Sequence, residues 1–235
     1  MCHHWGVAIQ KRTYAGVPGA DRSQQRRTQL IEAGLELMGS QGVAATTVRG
    51  VISQSGVSPK YFYEHFTSVD ELQVAVFDAV IAEVEQLALA ALASAPRNAR
   101  SRIRAVLAAI TDLLLTDPRK GRILLTEAIT TPVLATRRLA EVTRFSGLLA
   151  HHSRTVWQGL AHYESTVLTT SHFAVGGYAE TLAWVLEAGA DVDRAQLVDE
   201  LTELLLGTGD AFARIVRHQR GQSGSAPATA DAGRT

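Results

Sequence analysis

Cysteine and aromatic residues are scarce in this sequence, and their scarcity narrows the possible kinds of protein. Only one cysteine, Cys2, occurs among 235 residues, and aromatic residues make up 6%. A single cysteine cannot form an internal disulfide or supply a cysteine-rich zinc site. The first residues lack the charged-then-apolar pattern of a secretory signal, and no run of about 18 apolar residues could span a membrane. We therefore expect a cytoplasmic protein.

The sequence also lacks the common signatures of enzymes and metal sites. HExxH, GxSxG and the phosphate-binding P-loop are absent, and the short Gly207-Thr208-Gly209 is insufficient to indicate a nucleotide site. His151 and His152 are adjacent, so on a helix they point about 100° apart and do not share the i, i+4 spacing that chelates a metal. We predict no enzymatic activity, no cofactor and no metal.

Charge is balanced over the chain but unevenly distributed. The chain has 23 basic and 23 acidic residues, and 46% of its residues are hydrophobic, which is typical of a folded protein. Residues 1–66 hold seven basic and four acidic residues, so the remainder carries the compensating negative excess. A basic N-terminal part is compatible with contacts to phosphate groups, although the excess is modest.

Apolar residues recur at helical spacing through most of the chain. Leu30, Ala33, Leu37 and Met38 form one such stripe, and similar stripes follow between proline and glycine breakers. Ser68 is predicted to cap a long helix that continues to about residue 92. No alternating runs typical of strands occur, so we predict an all-α fold.

Residues 43–72 contain two short predicted helices joined by a glycine turn. Thr46 or Thr47 can cap the first helix, which ends near Ser55. Gly56 supplies a left-handed turn residue, and Ser58 precedes the second helix with a proline at its first position. This arrangement is the sequence form of a helix-turn-helix.

The second short helix is predicted to be amphipathic. At 100° per residue, Phe62 and Phe66 share one face and Lys60 projects on the opposite face. Donors at the N-terminal end and an apolar back are what a helix needs to enter the major groove of DNA. The alternative is a solvated helix whose tyrosines only cover the core.

These ordered elements resemble the N-terminal domain of the TetR family of transcriptional regulators. The similarity covers residues ~23–92 and runs from RRTQLIEAGLELMGSQGVAATTVRGV to SGVSPKYFYEHFTSVDEL. It implies a homodimer that binds palindromic double-stranded DNA, usually a repressor released by a small ligand. The predicted domains are a flexible basic tail (1–21), a helix-turn-helix domain (22–67), a helical ligand-binding and dimerisation domain (68–218) and a disordered tail (219–235).

The resemblance also implies which residues contact DNA. These positions are Arg26, Arg27, Thr47, Arg49, Ser58, Lys60, Tyr61, Tyr63 and His65. Lys60 and Tyr61 would be the main base-facing pair, whereas Thr47, Tyr63 and His65 would bind phosphate. Each is alternatively an ordinary surface residue, above all Arg26, Arg27 and His65. The sequence departs from the family pattern at Ile52, Val69 and Lys60.

The last two helices resemble the dimer interface of the family. The predicted interface residues are Gly176, Gly177, Ala183, Trp184, Leu201 and Leu205, with the small residues allowing close approach of two backbones. Two helices from each subunit would form a four-helix bundle. The alternative is that the same stripes pack within one subunit.

A ligand pocket is implied by the resemblance, and the aromatic and polar-tipped residues near it are candidate contacts. These are Trp157, His162, Tyr163, His172, Phe173 and Tyr178. The mostly aliphatic surroundings favour an apolar effector. The competing hypothesis is a constitutive or architectural dimeric DNA binder. A filled C-terminal core would favour that hypothesis, and a cavity with converging polar groups would favour a ligand-gated regulator.

Overall fold

The computed structural model describes residues 19–156, 163–189 and 192–223, and all regular structure within these ranges is helical. The helices are α1 (Gly19–Gln41), α2 (Val48–Ser55), α3 (Pro59–His65), α4 (Val69–Ser94), α5 (Ala99–Thr116), α6 (Pro118–Leu125), a 3-10 turn (Glu127–Ile129), α7 (Pro132–Val156), α8 (Glu164–Ala188) and α9 (Arg194–Ser223). The all-α prediction is confirmed.

Several helix boundaries differ from those expected from the sequence. α5 ends at Thr116, directly before Asp117 and Pro118 as the sequence predicts, but Pro118 also begins a further helix, α6, at whose first position its missing N–H costs nothing. α1 begins at Gly19 and α9 continues to Ser223, each a few residues into the segments predicted as tails. The other tail residues, 1–18 and 224–235, lie outside the described ranges.

The first three helices form a small bundle that rests on α4. Leu30 and Met38 of α1, Val51 of α2 and Phe62 of α3 are completely buried together. Gly34 allows α1 to approach α4 closely, because a Cβ there would lie 2.8 Å from Val76 Cγ2. This bundle therefore depends on α4 for part of its core.

α4 connects the N-terminal bundle to the rest of the molecule. It has 26 residues, so its length is about 39 Å. Its first half packs on α1, and it also contacts α5, α6 and α7. A displacement of α4 in the larger domain can therefore also displace the N-terminal bundle that packs on its first half.

The remaining helices form the larger domain. α5 packs between α4 and α9, α7 packs on α8, and α6 lies between α1 and α8. Gly121 of α6 permits this last contact, since a Cβ there would meet Leu186 Cδ1 at 2.5 Å. None of the helices described is long and apolar enough to cross a membrane.

Candidate nucleic-acid interface and internal cavity

The turn between α2 and α3 has the local geometry that the sequence predicts. Of the two possible caps, it is the Thr47 hydroxyl that accepts a hydrogen bond from Gly50 N at 3.1 Å. Gly56 has φ of +68°, and its N–H donates to Ile52 O. Pro59 occupies the first position of α3 after Ser58. Val57 is buried and anchors the turn to the core.

α3 presents an apolar face inward and a polar face outward. Phe62 and Phe66 are buried with their ring centroids 5.9 Å apart, as predicted. Lys60 is exposed on the other side. Tyr63 is 60% exposed, and its ring lies nearly perpendicular to that of Phe62, with the two ring centroids 5.3 Å apart. Polar side chains therefore stand at the surface where a duplex could approach.

Tyr61 lies in a different environment from its neighbour Lys60. Its ring is half-buried against the core, and the Arg26 guanidinium lies 3.9 Å from the ring centroid. Arg27 stacks similarly over Phe66 at 5.3 Å. Two candidate DNA contacts thus also hold α1 against α3, a role that the sequence analysis did not foresee.

The other candidate DNA contacts are divided between exposed and half-buried positions. Thr47, Arg49 and Ser58 are exposed, on the same two-helix unit as Lys60 and Tyr63. His65 is half-buried, and its Nε2 has no hydrogen-bond partner in the described part of the chain. The roles of all nine residues on DNA stay predictions.

The junction between α3 and α4 is fixed by a reciprocal cap. Ser68 Oγ accepts from Glu71 N at 3.2 Å, and the Glu71 carboxylate accepts from Thr67 N at 2.6 Å. The hydrogen bonds that the Thr67 backbone N–H and hydroxyl donate to the Glu71 carboxylate lower the pKa of Glu71. The junction orients α3 relative to the long helix α4.

A second connection joins α1 to α6. Gly39 lies against Arg119, so a Cβ at this position would be 2.7 Å from the Arg119 Cα. The Arg119 guanidinium pairs with Glu36 at 2.6 Å and with Asp117 at 2.8 Å. The hydrogen bonds from Arg119 lower the pKa of Asp117. Glu127 adds a hydrogen bond from Val43 N at 2.9 Å.

The larger domain contains a cavity of about 700 Å³. Its walls are contributed by α4 to α9 and are mainly aliphatic and aromatic. Representative wall residues are Phe77, Ile81, Ile103, Val106, Ile110 and Leu182. Helical periodicity predicts that the apolar stripes of α4 and α5 are buried. It does not show that they line a cavity, so the sequence analysis missed this wall.

Tyr178 is the one candidate ligand contact among the described residues that lines this cavity. Its hydroxyl lies 3.0 Å from Thr111 Oγ1 and 3.4 Å from Leu107 O. Burial raises the pKa of the Tyr178 phenol, so the group stays protonated near neutral pH. It can therefore act as a donor at the cavity wall.

The remaining candidate ligand contacts lie elsewhere. His172 and Phe173 are exposed, and Phe173 retains 72% of its accessible surface. Tyr163 packs in a separate cluster with Val167 and Phe212. Trp157 and His162 lie outside the described residues. The described residues contain no group of three His, Cys, Asp or Glu side chains that could hold a metal.

Exposed apolar side chains occur on α8 and α9. Phe173 and Trp184 of α8 are exposed, as are Leu204 and Ile215 of α9. Of the predicted interface residues, Trp184 is 64% exposed, and a Cβ at Gly176 or Gly177 would meet no atom within 4 Å.

Three other predicted interface residues face inward. Ala183 and Leu201 are buried within the subunit, and Leu205 lines the cavity. The intramolecular alternative therefore describes these three better, while the glycines and Trp184 remain available to a second subunit.

Comparison with known proteins places the N-terminal part in one family. Residues 30–76 match the family described as bacterial regulatory proteins, tetR family. The HTH-type transcriptional regulator BetI of Rhizobium meliloti (strain 1021) is 29% identical over 91 residues, which cover 39% of this chain and only 44% of BetI. The HTH-type transcriptional activator FasR of Mycolicibacterium smegmatis is 29% identical over 148 residues, covering 58% of this chain and 67% of FasR.

The structural likeness extends over more of the chain. FadR from Bacillus subtilis, solved in complex with stearoyl-CoA, has a TM-score of 0.62 to this structure at 18% identity. The superposition covers 76% of this chain and 96% of FadR. This likeness establishes the fold, and the sequence match identifies its N-terminal part. Residues 30–76 are therefore similar to the tetR family of bacterial regulatory proteins, and the chain shares the all-helical fold of FadR.

Proposed function

We propose that this protein is a homodimeric repressor that leaves a palindromic operator when a long apolar ligand occupies the cavity. The observation that carries this proposal is the pairing of a helix-turn-helix with an apolar cavity of about 700 Å³ in one helical framework. A purely architectural DNA binder has no need of such a cavity, since closely packed interiors are more stable. A bacterial DNA-binding regulator acts in the cytoplasm, because the chromosome lies there.

DNA binding is assigned to the outward side of α2 and α3. Lys60 and Arg49 supply positive charge, and Thr47, Ser58 and Tyr63 supply hydroxyl groups, all of them exposed. Lys60 reads base edges, while the hydroxyl groups bind phosphate and fix the register. Tyr61 contributes by holding α3 in place together with Arg26.

Dimerisation is assigned to the exposed apolar side chains of α8 and α9. Single apolar residues are common on surfaces, but four large ones on two adjacent helices indicate a contact surface. Pairing two subunits would place two copies of α3 on one side of the dimer. Their separation must be close to ~34–36 Å to fit successive major grooves.

The ligand is assigned to the class of long-chain acyl compounds. The cavity wall is predominantly apolar, and Phe77 and Leu92 of α4, both in that wall, are about 22 Å apart along the helix axis. FadR of Bacillus subtilis, which shares the fold, was solved with stearoyl-CoA. A long aliphatic chain would fill such a cavity better than a compact polar metabolite.

Transmission from the cavity to DNA is assigned to α4 and α6. Phe77 of α4 lines the cavity, as do Leu124 and Leu125 of α6. α6 in turn is joined to α1 through Gly39 and Arg119. A ligand that shifts α6 or α4 would change the distance between the two recognition helices, and DNA would weaken ligand binding by the same factor.

The experiment that tests this function is operator selection followed by ligand challenge. Purified protein selects from random duplexes at about 150 mM salt, where purely electrostatic binding is weak. We expect a palindrome with half-sites about one helical turn apart, and release of that DNA on addition of palmitoyl-CoA. Ala174→Phe, which fills the cavity from a buried wall position, should keep DNA binding and lose the response.

The other outcomes identify the alternatives. Operator binding that no long-chain acyl compound changes would favour a constitutive DNA binder. Tighter DNA binding with palmitoyl-CoA would exclude release as the mechanism and would favour a co-repressor or an activator. Selection of no sequence motif in either condition would contradict the assignment of a specific operator.

A further inference from the structure

Four arginines close to the start of α5 are placed in two different ways. Arg100 and Arg104 point to α9, where they form ion pairs with Glu203 and Asp199. Arg97 and Arg102 instead contribute to the cavity wall. Within the described residues neither of these two forms an ion pair, and Arg102 Nε is buried without a hydrogen-bond acceptor.

An arginine in this position requires an explanation. A buried guanidinium N–H without an acceptor is destabilising, because its hydration is lost and nothing replaces it. Three of the other charged side chains at the cavity wall form ion pairs. Glu85 and Glu141 both pair with Arg144, and Arg138 pairs with Glu180. Arg97 and Arg102 therefore form the unneutralised positive part of the wall.

The surroundings of the two arginines favour an anion. They stand on either side of the α5 N-terminus, where the helix dipole adds positive potential. Asn98 caps this end, and its Oδ1 accepts from Ser101 N at 2.9 Å. One carboxylate, Asp210 of α9, also lines this part of the cavity but forms no ion pair with either arginine. This end of the cavity therefore carries two positively charged guanidinium groups and one negatively charged carboxylate.

The opposite end of the cavity is apolar. Phe77, Leu114, Leu124 and Leu182 line it near α6. The two ends are separated along α4 by about 22 Å between Phe77 and Leu92, the latter next to the turn that precedes Arg97. The cavity is therefore amphipathic along its length, with its charge at the end far from α3.

We propose that Arg97 and Arg102 bind the anionic head of the ligand, while its aliphatic chain extends toward Phe77. This inference rests on the proposed function, because it identifies the head group of the ligand assigned to the same cavity. A guanidinium binds carboxylate or phosphate oxygens through paired hydrogen bonds. The head group is thus the carboxylate of a fatty acid or a phosphate of an acyl-CoA.

The test compares ligands of one chain length that differ in charge. Palmitate, palmitoyl-CoA and uncharged hexadecanol compete with a fluorescent aliphatic dye for the wild type, for Arg97→Gln/Arg102→Gln and for the control Arg104→Gln. We expect the double variant to bind at least one of the two anions roughly tenfold or more weakly, with hexadecanol affected less than about twofold. Arg104→Gln should leave all three affinities unchanged, because Arg104 belongs to the α9 contact.

The two anions distinguish the sources of the head group. A loss confined to palmitoyl-CoA indicates phosphate recognition, and a loss that includes palmitate indicates carboxylate recognition. Wild-type affinity for the recognised anion should fall with added salt, whereas affinity for hexadecanol should not. This salt comparison uses the unaltered protein and so does not depend on the folding of a variant.

Two results would overturn the inference. Unchanged anion binding in the double variant, or an equal loss for hexadecanol, would remove the head-group role while leaving a ligand of the apolar class in place. If the wild type binds none of the three compounds, the head-group assignment and the acyl-ligand proposal both fail.

Discussion

Lys60 and Tyr61 are neighbours on α3, but their side chains have different surroundings. Lys60 is exposed, whereas the Tyr61 ring is packed between the core and the guanidinium of Arg26. Such cation–π contacts contribute about 0.5–1 kcal/mol at exposed sites and more when desolvated. Replacing Tyr61 would therefore disturb the position of α3 as well as any contact with a base.

Lys60→Ala is consequently the sharper test of base recognition. We expect it to weaken binding to the selected operator by about 1–3 kcal/mol and to relax sequence preference at one position in each half-site. Unfolding of the variant should match the wild type, since the side chain is exposed. Fluorescence anisotropy with operator and scrambled duplexes measures both affinities.

The control for this change is Arg217→Ala. Arg217 is an exposed basic residue on α9, distant in sequence from the helix-turn-helix. It should leave both DNA affinities unchanged. An equal loss of affinity for operator and scrambled DNA in Lys60→Ala would reassign Lys60 to phosphate contact.

At the scale of elements, the contact between α1 and α6 is a second connection, besides α4, between the N-terminal bundle and the larger domain. It depends on a glycine, because Gly39 allows the backbone of α6 to reach α1 at Arg119. Ion pairs from Arg119 to Glu36 and Asp117 then fix the relative position of the helices. These pairs are partly exposed, so close packing at the glycine is the larger constraint.

We expect Gly39→Ala to separate α1 from α6. A Cβ would overlap Arg119, and overpacking of this kind costs about 1–3 kcal/mol. Urea unfolding followed by circular dichroism measures the loss. The control is Gly147→Ala on α7, where a Cβ meets nothing within 4 Å and helix propensity should stabilise by about 0.5–1 kcal/mol. Equal stability of the two variants would show that α6 is not held by this contact.

For the whole molecule, the exposed side chains of α8 and α9 form the proposed contact surface between two subunits. Phe173 and Trp184 are more exposed than is usual for such large apolar residues. Aromatic residues are enriched at the centres of interfaces, where they contribute most of the binding energy. Trp184 is therefore the best single position at which to test the dimer.

Trp184→Glu should convert the proposed dimer to a monomer at micromolar concentration. A charge buried in an apolar interface without a partner costs several kcal/mol, and loss of the dimer removes simultaneous contact with two half-sites. Sedimentation velocity measures the first effect and operator binding the second. Leu139→Glu on α7 is the matched control, since Leu139 is 63% exposed, close to the 64% of Trp184. If Leu139→Glu dissociates the dimer and Trp184→Glu does not, the interface lies on α7 and not on α8.

Local sequence determined the helix-turn-helix. Thr47, Gly56 and the proline after Ser58 act through hydrogen bonds and backbone preferences within a few residues of themselves, so their roles can be recognised without the rest of the chain. The same holds for the Ser68 cap of α4.

Tertiary structure alone decided what each apolar stripe faces. Periodicity shows that Ile103 of α5, Leu201 of α9 and Trp184 of α8 belong to apolar faces, but it does not distinguish a packed core, a cavity wall and an exposed surface. In the structure these residues lie respectively at the cavity, in the core and at the surface. The reason is physical: an apolar stripe shows only that burial of its side chains would be favourable, and the packing of distant helices determines whether each side chain meets the core, a cavity or solvent.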